Sequence, residues 1–234
     1  MGRLGIAAIG RPTFDLDFAA ERTAGCIGVL EGLAGWDLVG NPDIAFDDAG
    51  LAATIGTIGT TDVEAVVVIQ STFADSTFVQ AIAAATTAPI VLWSIPEPRS
   101  GGRLRLNSLC GINLAAYALK RAGRDYRYVH VDPDSKGAAR AVLEAIVGTD
   151  APPRRPPQLP AATDGTAAAV AAREALAGAI VGIVGDRPVG FEPCDYDAAA
   201  LEAATGVTVD AVPLPRLFAA AERAPHVNVK AITA

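Results

Sequence analysis

Histidine and cysteine, which supply many metal ligands and catalytic nucleophiles, are scarce in this sequence. Its 234 residues contain two histidines and three cysteines. Cys26, Cys110 and Cys194 are odd in number, far apart and outside any CxxC pair, as expected of a reduced chain and not of a disulfide framework. With so few histidines a Ser-His-Asp triad is poorly supplied, and the Gly-x-Ser-x-Gly elbow of hydrolases does not occur.

The sequence also lacks nucleotide-binding glycine motifs and membrane-length apolar runs. Neither G-x-G-x-x-G nor G-x-x-x-x-G-K-[ST] occurs. No segment reaches the roughly 18–20 apolar residues of a membrane span, and the apolar run before Arg11 is too short for a signal peptide. A net charge of −7 and a pI near 4.8 argue against a surface that follows nucleic-acid phosphates. We therefore expect a soluble, cytoplasmic protein that binds neither nucleic acid nor membrane.

Short apolar runs alternate with helical segments over the first part of the chain. The runs are LGIAAI (4–9), WDLVG (36–40), EAVVVIQ (64–70), PIVLWSI (89–95) and YRYVHV (126–131). Helical periodicity follows each run, over 17–33, 48–59, 75–86, 107–123 and 135–148. Continuously apolar strands separated by helices are typical of a parallel sheet covered on both faces. The pattern predicts an α/β fold with a Rossmann-like, doubly wound parallel sheet.

A proline-rich segment divides the chain. Five prolines lie between Ala151 and Pro160, and they predict a stiff linker over 151–163. The linker separates a first domain over 1–150 from a second α/β domain over 164–234. The second domain has two predicted strands, and two parallel strands cannot bury both faces of a sheet. We therefore expect an incomplete second domain, which is completed from outside this chain unless the chain is a fragment.

Polar residues concentrate where the predicted strands end, which is the edge at which doubly wound sheets bind ligands. By position the candidates are Arg11, Asp15, Ser71, Thr72, Asp75 and Glu97. Helix capping is the alternative for several polar residues near strand ends, namely Thr72, Asp75, Asp134 and Ser135. Arg11 precedes Pro12 at the first strand end, so we expect its side chain to point into the crevice.

Two further patterns allow both a chemical and a structural interpretation. HVDPD (130–134) carries His and Asp side chains that bind metals, but Asp-Pro-Asp-Ser before a helix is also an ordinary turn and N-cap. In GGRLRLNSLCG (101–111), Cys110 near a helix start has the position of a reactive thiol. It also flanks an apolar stripe that begins at Leu109, which favours a buried structural thiol with Asn107 or Ser108 as the cap.

Several stretches together resemble the N-terminal half of L-fucose isomerase-like proteins, a group related to the L-fucose and L-arabinose isomerases. They are RPTFD, VVVIQSTFADSTFVQAI, PIVLWSIPEP and GGRLRLNSLCGINLAAYAL. The resemblance continues through VGIVGDRPVGFEPCDYDAAALEAATGVTVDAVPLPRL and is weakest between about 135 and 175. It covers almost the entire chain and implies the N-terminal portion of such a protein.

The resemblance implies two Rossmann-like domains, a C-terminal domain, and an isomerase of carbohydrate metabolism that interconverts an aldose and a ketose. Such an intramolecular oxidoreductase uses a divalent metal, typically Mn²⁺, to hold adjacent sugar oxygens while a proton moves between C1 and C2. The family's Glu, Asp and His ligands lie later in the sequence than this chain extends. The resemblance therefore assigns this chain no catalytic residue, metal ligand or cofactor, and predicts that it is inactive alone.

In these homo-oligomers, trimers or hexamers, the first domain reaches into a neighbouring subunit's active site and contacts the sugar. The position that matches this role is Arg11, with Ser71, Thr72 and Phe73 after the third strand as a second contact region. Arg11 would hydrogen-bond sugar hydroxyls or a terminal charged group, and Phe73 would stack on the apolar face of the ring. Trp93 is expected to pack at a strand end instead.

Two alternatives to an isomerase remain open at this point. One is a non-catalytic sugar-binding or assembly module that keeps the first domain without the metal site. The other is a truncated gene product whose second domain does not fold stably.

Overall fold

The computed structural model describes residues 1–148 and 166–224. These residues form two compact units, the first made of 1–148 and 189–193 and the second of 166–188 and 194–224. The predicted linker over 151–163 lies outside the described residues. The short segment Val189–Pro193 belongs to the first unit, although it lies within the predicted second domain.

The first unit is a parallel sheet between two layers of helices. Its strands are β1 (Gly2–Ile9), β2 (Trp36–Ala45), β3 (Ala65–Gln70), β4 (Ile90–Ser94) and β5 (Tyr126–His130). Its helices are α1 (Leu16–Glu31), α2 (Asp48–Ile58), α3 (Ser76–Ala85), α4 (Ser108–Arg121) and α5 (Ala138–Val147). The strand order is β2-β1-β3-β4-β5, and every pairing is parallel. This confirms the predicted doubly wound α/β fold.

The two central strands are buried along their whole length, which is why they read as unbroken apolar runs. Alternate residues of β3 face opposite sides, so that Val66 and Val68 pack with α2, α3 and α4. Val67 and Ile69 pack with α1 and α5 on the other side. The core therefore consists of two apolar layers, and it fixes the strand ends rigidly with respect to one another.

The second unit contains α6 (Thr166–Leu176), β6 (Ile180–Val184), α7 (Ala198–Thr205), β7 (Thr208–Val212) and α8 (Leu214–Arg223). Its two strands pair in parallel, and a 3₁₀ turn over Glu192–Cys194 precedes α7. The sheet leaves apolar side chains in water: Ile180 is 70% exposed, and Val181 and Val184 are about half exposed. Within the part of the chain that the structure describes, no helix is both long and apolar enough to cross a membrane.

Candidate functional site

The candidate site lies at the carboxyl ends of β1 and β3. In the order β2-β1-β3-β4-β5 the chain reverses its direction of winding between these two strands. Their carboxyl ends leave a crevice there, because the connections that follow them run to opposite faces of the sheet. Arg11 follows β1 and the segment 71–75 follows β3, so the fold brings together the residues that the sequence singled out.

The backbone of Arg11 is fixed by Thr72. The Arg11 N–H donates to Thr72 Oγ1 at 2.7 Å, and the same hydroxyl donates to the Arg11 carbonyl at 3.1 Å. The strand ends approach closely at Gly10, where a Cβ would lie 2.7 Å from Thr72 Oγ1. Thr72 itself is fully buried. The exit of β1 is therefore held in one conformation by a side chain from the neighbouring strand.

The Arg11 guanidinium lies in an aromatic and acidic setting. It pairs with Asp75, and its Cζ lies 5.4 Å from the centre of the Phe73 ring and 5.9 Å from that of Phe191. The side chain remains 40% exposed. Arg11 is thus held from one side and open to a ligand on the other.

Asp75 is both a helix cap and the partner of Arg11. Its carboxylate accepts from the Thr77 N–H at 2.9 Å, which confirms the predicted cap of α3. Burial alone would raise the pKa of Asp75, but hydrogen bonds from Thr77 and Arg11 outweigh burial and lower it. Asp75 is therefore ionised at neutral pH, and it balances the charge of Arg11.

Ser71, Thr72 and Phe73 lie beside Arg11, but their side chains are buried in the first unit. Ser71 Oγ accepts from Thr23 Oγ1 of α1 at 2.7 Å. Phe73 packs between Phe14 and Phe191, with ring centres 6.2 Å and 5.9 Å away. In this structure the three residues support the strand ends, and their contact with a sugar stays a prediction.

The segment Val189–Pro193 completes the surroundings of Arg11, which the sequence did not indicate. The Gly190 carbonyl accepts from the Ser76 N–H at 3.1 Å, and Glu192 accepts from Ser76 Oγ. Gln80 Nε2 donates to Glu192 at 3.2 Å. No local pattern predicts these contacts, because they join residues more than a hundred positions apart.

A loop over 96–107 borders the site, and Glu97 fixes it. The Glu97 carboxylate accepts from the backbone N–H groups of Arg105, Leu106 and Asn107. The Phe73 N–H donates to the Leu106 carbonyl at 2.7 Å, which joins the loop to β3. Glu97 was a candidate by position, and here it positions the loop.

Asn107 occupies the N-cap position of α4, as predicted, but its side chain does not cap the helix. Asn107 adopts φ 52° in the left-handed region, and its side chain makes no capping hydrogen bond among the described residues. Ser108 Oγ instead donates to the Gln70 carbonyl and accepts from the Ile95 N–H at 3.0 Å. Ser108 therefore joins the helix to the end of β3 and to the residue after β4. Ser108 is buried, whereas Leu109, which was expected to be buried, is 45% exposed.

Two pockets of about 260 Å³ each open at this edge of the sheet. The first is lined by residues after β1, β2 and β3, namely Gly10, Arg11, Phe46, Asp47, Asp48, Ala74, Asp75 and Phe78. The second is lined by the turn after β1 and the loop after β4, namely Thr13, Phe14, Asp15, Arg103, Leu104 and Arg105. The sequence analysis did not single out Phe14, Arg103 or Arg105. The three arginines in the glycine-containing loop after β4 are a pattern that could have indicated a site for an anion.

A pocket of about 370 Å³ lies at the opposite edge, where β4 and β5 begin. The two arginines of this pocket donate hydrogen bonds to backbone carbonyls. Arg124 donates to the Ala88 carbonyl at 3.0 Å, and Arg127 donates to the Ala145 and Ile146 carbonyls at 3.1 Å. These side chains complete helix and strand ends, so we place the candidate site at the carboxyl edge.

The HVDPD motif is a turn. The Asp134 N–H donates to Asp132 Oδ1 at 2.9 Å, and both carboxylates pair with Arg22 of α1. His130 Nδ1 lies 2.7 Å from Ser94 Oγ. Gly137 is the N-cap of α5, so the predicted caps at Asp134 and Ser135 are wrong. Within residues 1–148 and 166–224, no three His, Cys, Asp or Glu side chains are grouped so that they fit a metal ion.

The three thiols differ sharply in exposure. Cys26 of α1 is fully buried and Cys194 is exposed. Cys110 is half-buried, whereas the sequence predicted a buried thiol. Burial raises the pKa of the Cys26 thiol. Cys26 therefore belongs to the core and is not a nucleophile.

Alkylation of the native chain is expected to modify Cys194 quickly and Cys26 at least about 100-fold more slowly, because only local or global opening exposes the thiolate of Cys26. Peptide mass spectrometry after timed iodoacetamide pulses measures both rates. A Cys194→Ser variant is the control for assignment. Equal rates at the two thiols in native buffer would contradict this burial.

Comparisons with known proteins identify the family. Residues 5–146 match the family described as fucose/sulfoquinovose isomerase, N-terminal domain. The sulfoquinovose isomerases of Priestia aryabhattai and Priestia megaterium are each 28% identical over 210 residues, covering 90% of this chain and 42% of theirs. That of Alkalicoccus urumqiensis is 28% identical over 169 residues, covering 70% and 32%. The chain thus spans about two fifths of the length of the first two relatives, and it belongs to the fucose/sulfoquinovose isomerase family.

Proposed function

We propose that this chain supplies a sugar-binding surface of an aldose–ketose isomerase whose substrate carries a sulfonate. The proposal rests on Arg11. The buried Thr72 fixes the Arg11 backbone where the direction of winding reverses between β1 and β3, and the Arg11 guanidinium is partly open to solvent. The relatives named sulfoquinovose isomerases support the reaction class and the anionic sugar.

The residues around Arg11 are suited to binding and not to proton transfer. The guanidinium of Arg11 carries N–H donors and no acceptor atom, so it is suited to hydrogen-bonding the oxygens of a sugar and not to accepting a proton from it. The pKa of Asp75 is lowered and its carboxylate is paired, which makes it a weak base for a sugar C–H group. We therefore assign this surface the task of holding and orienting the sugar.

The family's Mn²⁺ does not fit the described residues of this chain, because no suitable group of ligands is found among them. No step of the reaction is assigned to a metal held here. In the proposal the groups that move the proton come from outside the described surface, and this chain contributes the strand ends of β1 and β3.

An arginine suits a sulfonated sugar in two ways. Its planar fork donates parallel hydrogen bonds to two oxygens, whether these belong to a sulfonate or to neighbouring hydroxyls. The rings of Phe73 and Phe191 hold the guanidinium in place, so less rotamer freedom is lost when the sugar binds.

Calorimetric titration of the full chain with sulfoquinovose tests this function. Arg11→Gln is expected to weaken binding by about tenfold or more, since hydrogen bonds to charged groups contribute about 1.5–3 kcal/mol. Arg11→Lys keeps the charge and loses the fork, so its affinity should lie between the two. Arg140→Gln is the matched control, because Arg140 is an exposed arginine of α5 that pairs with Glu144.

Equal affinity of the wild type and Arg11→Gln would contradict the role of Arg11. Absence of sulfoquinovose binding by the wild type would contradict the proposed function as a whole. Formation of a ketose by this chain alone, followed by NMR with added Mn²⁺, would contradict the assignment of binding without catalysis.

A further inference from the structure

The second pocket at the carboxyl edge has the chemistry of an anion site. It is lined by two arginines, one aspartate, an aromatic ring and an exposed leucine. Its walls are the turn after β1 and the loop after β4. The turn follows Arg11 directly along the chain. The second pocket therefore lies beside the first pocket, which Arg11 lines.

The charges in this pocket are not balanced. Arg105 pairs with Asp15 at 2.8 Å, and its Cζ lies 3.7 Å from the centre of the Phe18 ring. Arg103 forms no ion pair with any residue that the structure describes, and its Nη2 donates one hydrogen bond of 3.3 Å to the Thr13 carbonyl. The charge of Arg11, by contrast, is matched by Asp75. Among the described residues that line this pocket, Arg103 is therefore the arginine without an ion-pair partner.

The backbone that carries Arg103 is fixed from both sides. Gly101 and Gly102 adopt φ 73° and 83°, a turn that glycine makes without strain. After the turn, Glu97 accepts from the backbone of Arg105 and the residues that follow it. The Asp15 N–H donates to the Arg105 carbonyl at 3.1 Å, which joins the loop to the turn after β1. These contacts on either side fix the backbone position of Arg103 in the loop.

The apolar part of the pocket continues toward Arg11. Leu104 is 50% exposed, and the ring of Phe14 lies 6.2 Å from that of Phe73, which in turn lies against Arg11. A ligand with an anionic head and a carbon body finds a cation at Arg103 and an apolar wall at Leu104 and Phe14.

We propose that Arg103 determines specificity by binding the sulfonate of the sugar, while Arg11 binds its hydroxyls. This inference rests on the proposed function for the identity of the sugar, but not for the existence of the anion pocket. Because Asp75 already balances Arg11, an anion gains more from Arg103, whose charge is unpaired.

A first experiment uses methanesulfonate, which carries the head group without the sugar. In the full chain labelled with ¹⁵N-arginine, the Arg103 Nε–H resonance should shift and saturate, while that of Arg99 on the same loop should not. Arg103→Gln assigns the signal, and its melting temperature should match the wild type because the side chain is exposed. If neither the Arg103 nor the Arg99 resonance shifts, or if both shift equally, the assignment of this pocket as an anion site is overturned.

A second experiment compares sulfoquinovose with its neutral 6-deoxy counterpart. The wild type is expected to bind the sulfonated sugar about tenfold more tightly. Arg103→Gln should reduce that ratio to near one without changing the affinity for the neutral sugar, and Arg99→Gln should leave the ratio unchanged. Arg103→Lys keeps the charge and should keep part of the preference.

The two proposals fail in different ways. An unchanged preference in Arg103→Gln overturns the role of Arg103 and leaves the sugar-binding function standing. A saturable response to methanesulfonate at Arg103, with no binding of either sugar, supports the anion pocket and overturns the sugar-binding function.

Discussion

Replacing Trp93 with alanine is expected to lower the free energy of unfolding by about 3–5 kcal/mol, the range for truncating a buried aromatic side chain. Trp93 is the largest fully buried side chain and lies on β4 in the layer packed against α1 and α5. Its Nε1–H donates to the Val131 carbonyl at 2.9 Å. The substitution removes a large apolar volume and leaves that carbonyl without its donor.

Urea unfolding followed by circular dichroism measures this loss. Trp93→Phe keeps most of the ring and loses the hydrogen bond, so a smaller loss of about 1–2 kcal/mol is expected. Trp36→Ala is the matched control, because Trp36 lies on the edge strand β2 and is only partly buried. A loss for Trp93→Ala no larger than that for Trp36→Ala would contradict the packing described above.

Replacing Gly111 with alanine is expected to destabilise the chain, although alanine is the better helix former. A Cβ at this position of α4 would lie 2.6 Å from Cδ and 2.8 Å from Cγ of Gln70. Gln70 is buried, and its Nε2 donates to the Thr72 carbonyl at 3.1 Å. Overpacking costs about 1–3 kcal/mol, while the gain in helix propensity is at most about 1 kcal/mol.

The sign of this effect should reverse when Gln70 is shortened. Gln70→Ala removes the three atoms that lie nearest to the added methyl group, so in that background Gly111→Ala should stabilise by up to about 1 kcal/mol. Gly56→Ala on α2 is the control, since a Cβ there meets nothing within 4 Å. Additive effects of Gln70→Ala and Gly111→Ala on the free energy of unfolding would show that the two side chains do not compete for space.

The fold follows from the sequence because the central strands are buried on both faces. Ala65–Gln70 and Ile90–Ser94 read as unbroken apolar runs, and the structure begins and ends each within one residue of its prediction. The grouping of Arg11 with 71–75 follows too, since parallel strands bring their carboxyl ends to one edge. The second unit was also recognisable from two apolar runs between helices.

What periodicity does not reveal are contacts that depend on backbone conformation or distant sequence. Asn107 has a left-handed φ just before α4, and at the start of this helix Ser108 is buried while Leu109 is exposed. The three N–H groups that Glu97 accepts belong to a loop without a repeating pattern. Phe191 reaches the ring of Phe73 from 118 positions along the chain, and nothing local in either segment indicates it.

The exposed apolar side chains of β6 in the second unit are available for contact with another apolar surface. Ile180, Val181 and Val184 present apolar side chains on a short strand, and such a surface attracts a like surface at any pH. Repulsion between chains depends on the net charge of −7, which falls to zero as the pH approaches the pI near 4.8. Net charge therefore opposes contact between two such apolar surfaces, and this opposition vanishes at a buffer pH near the pI.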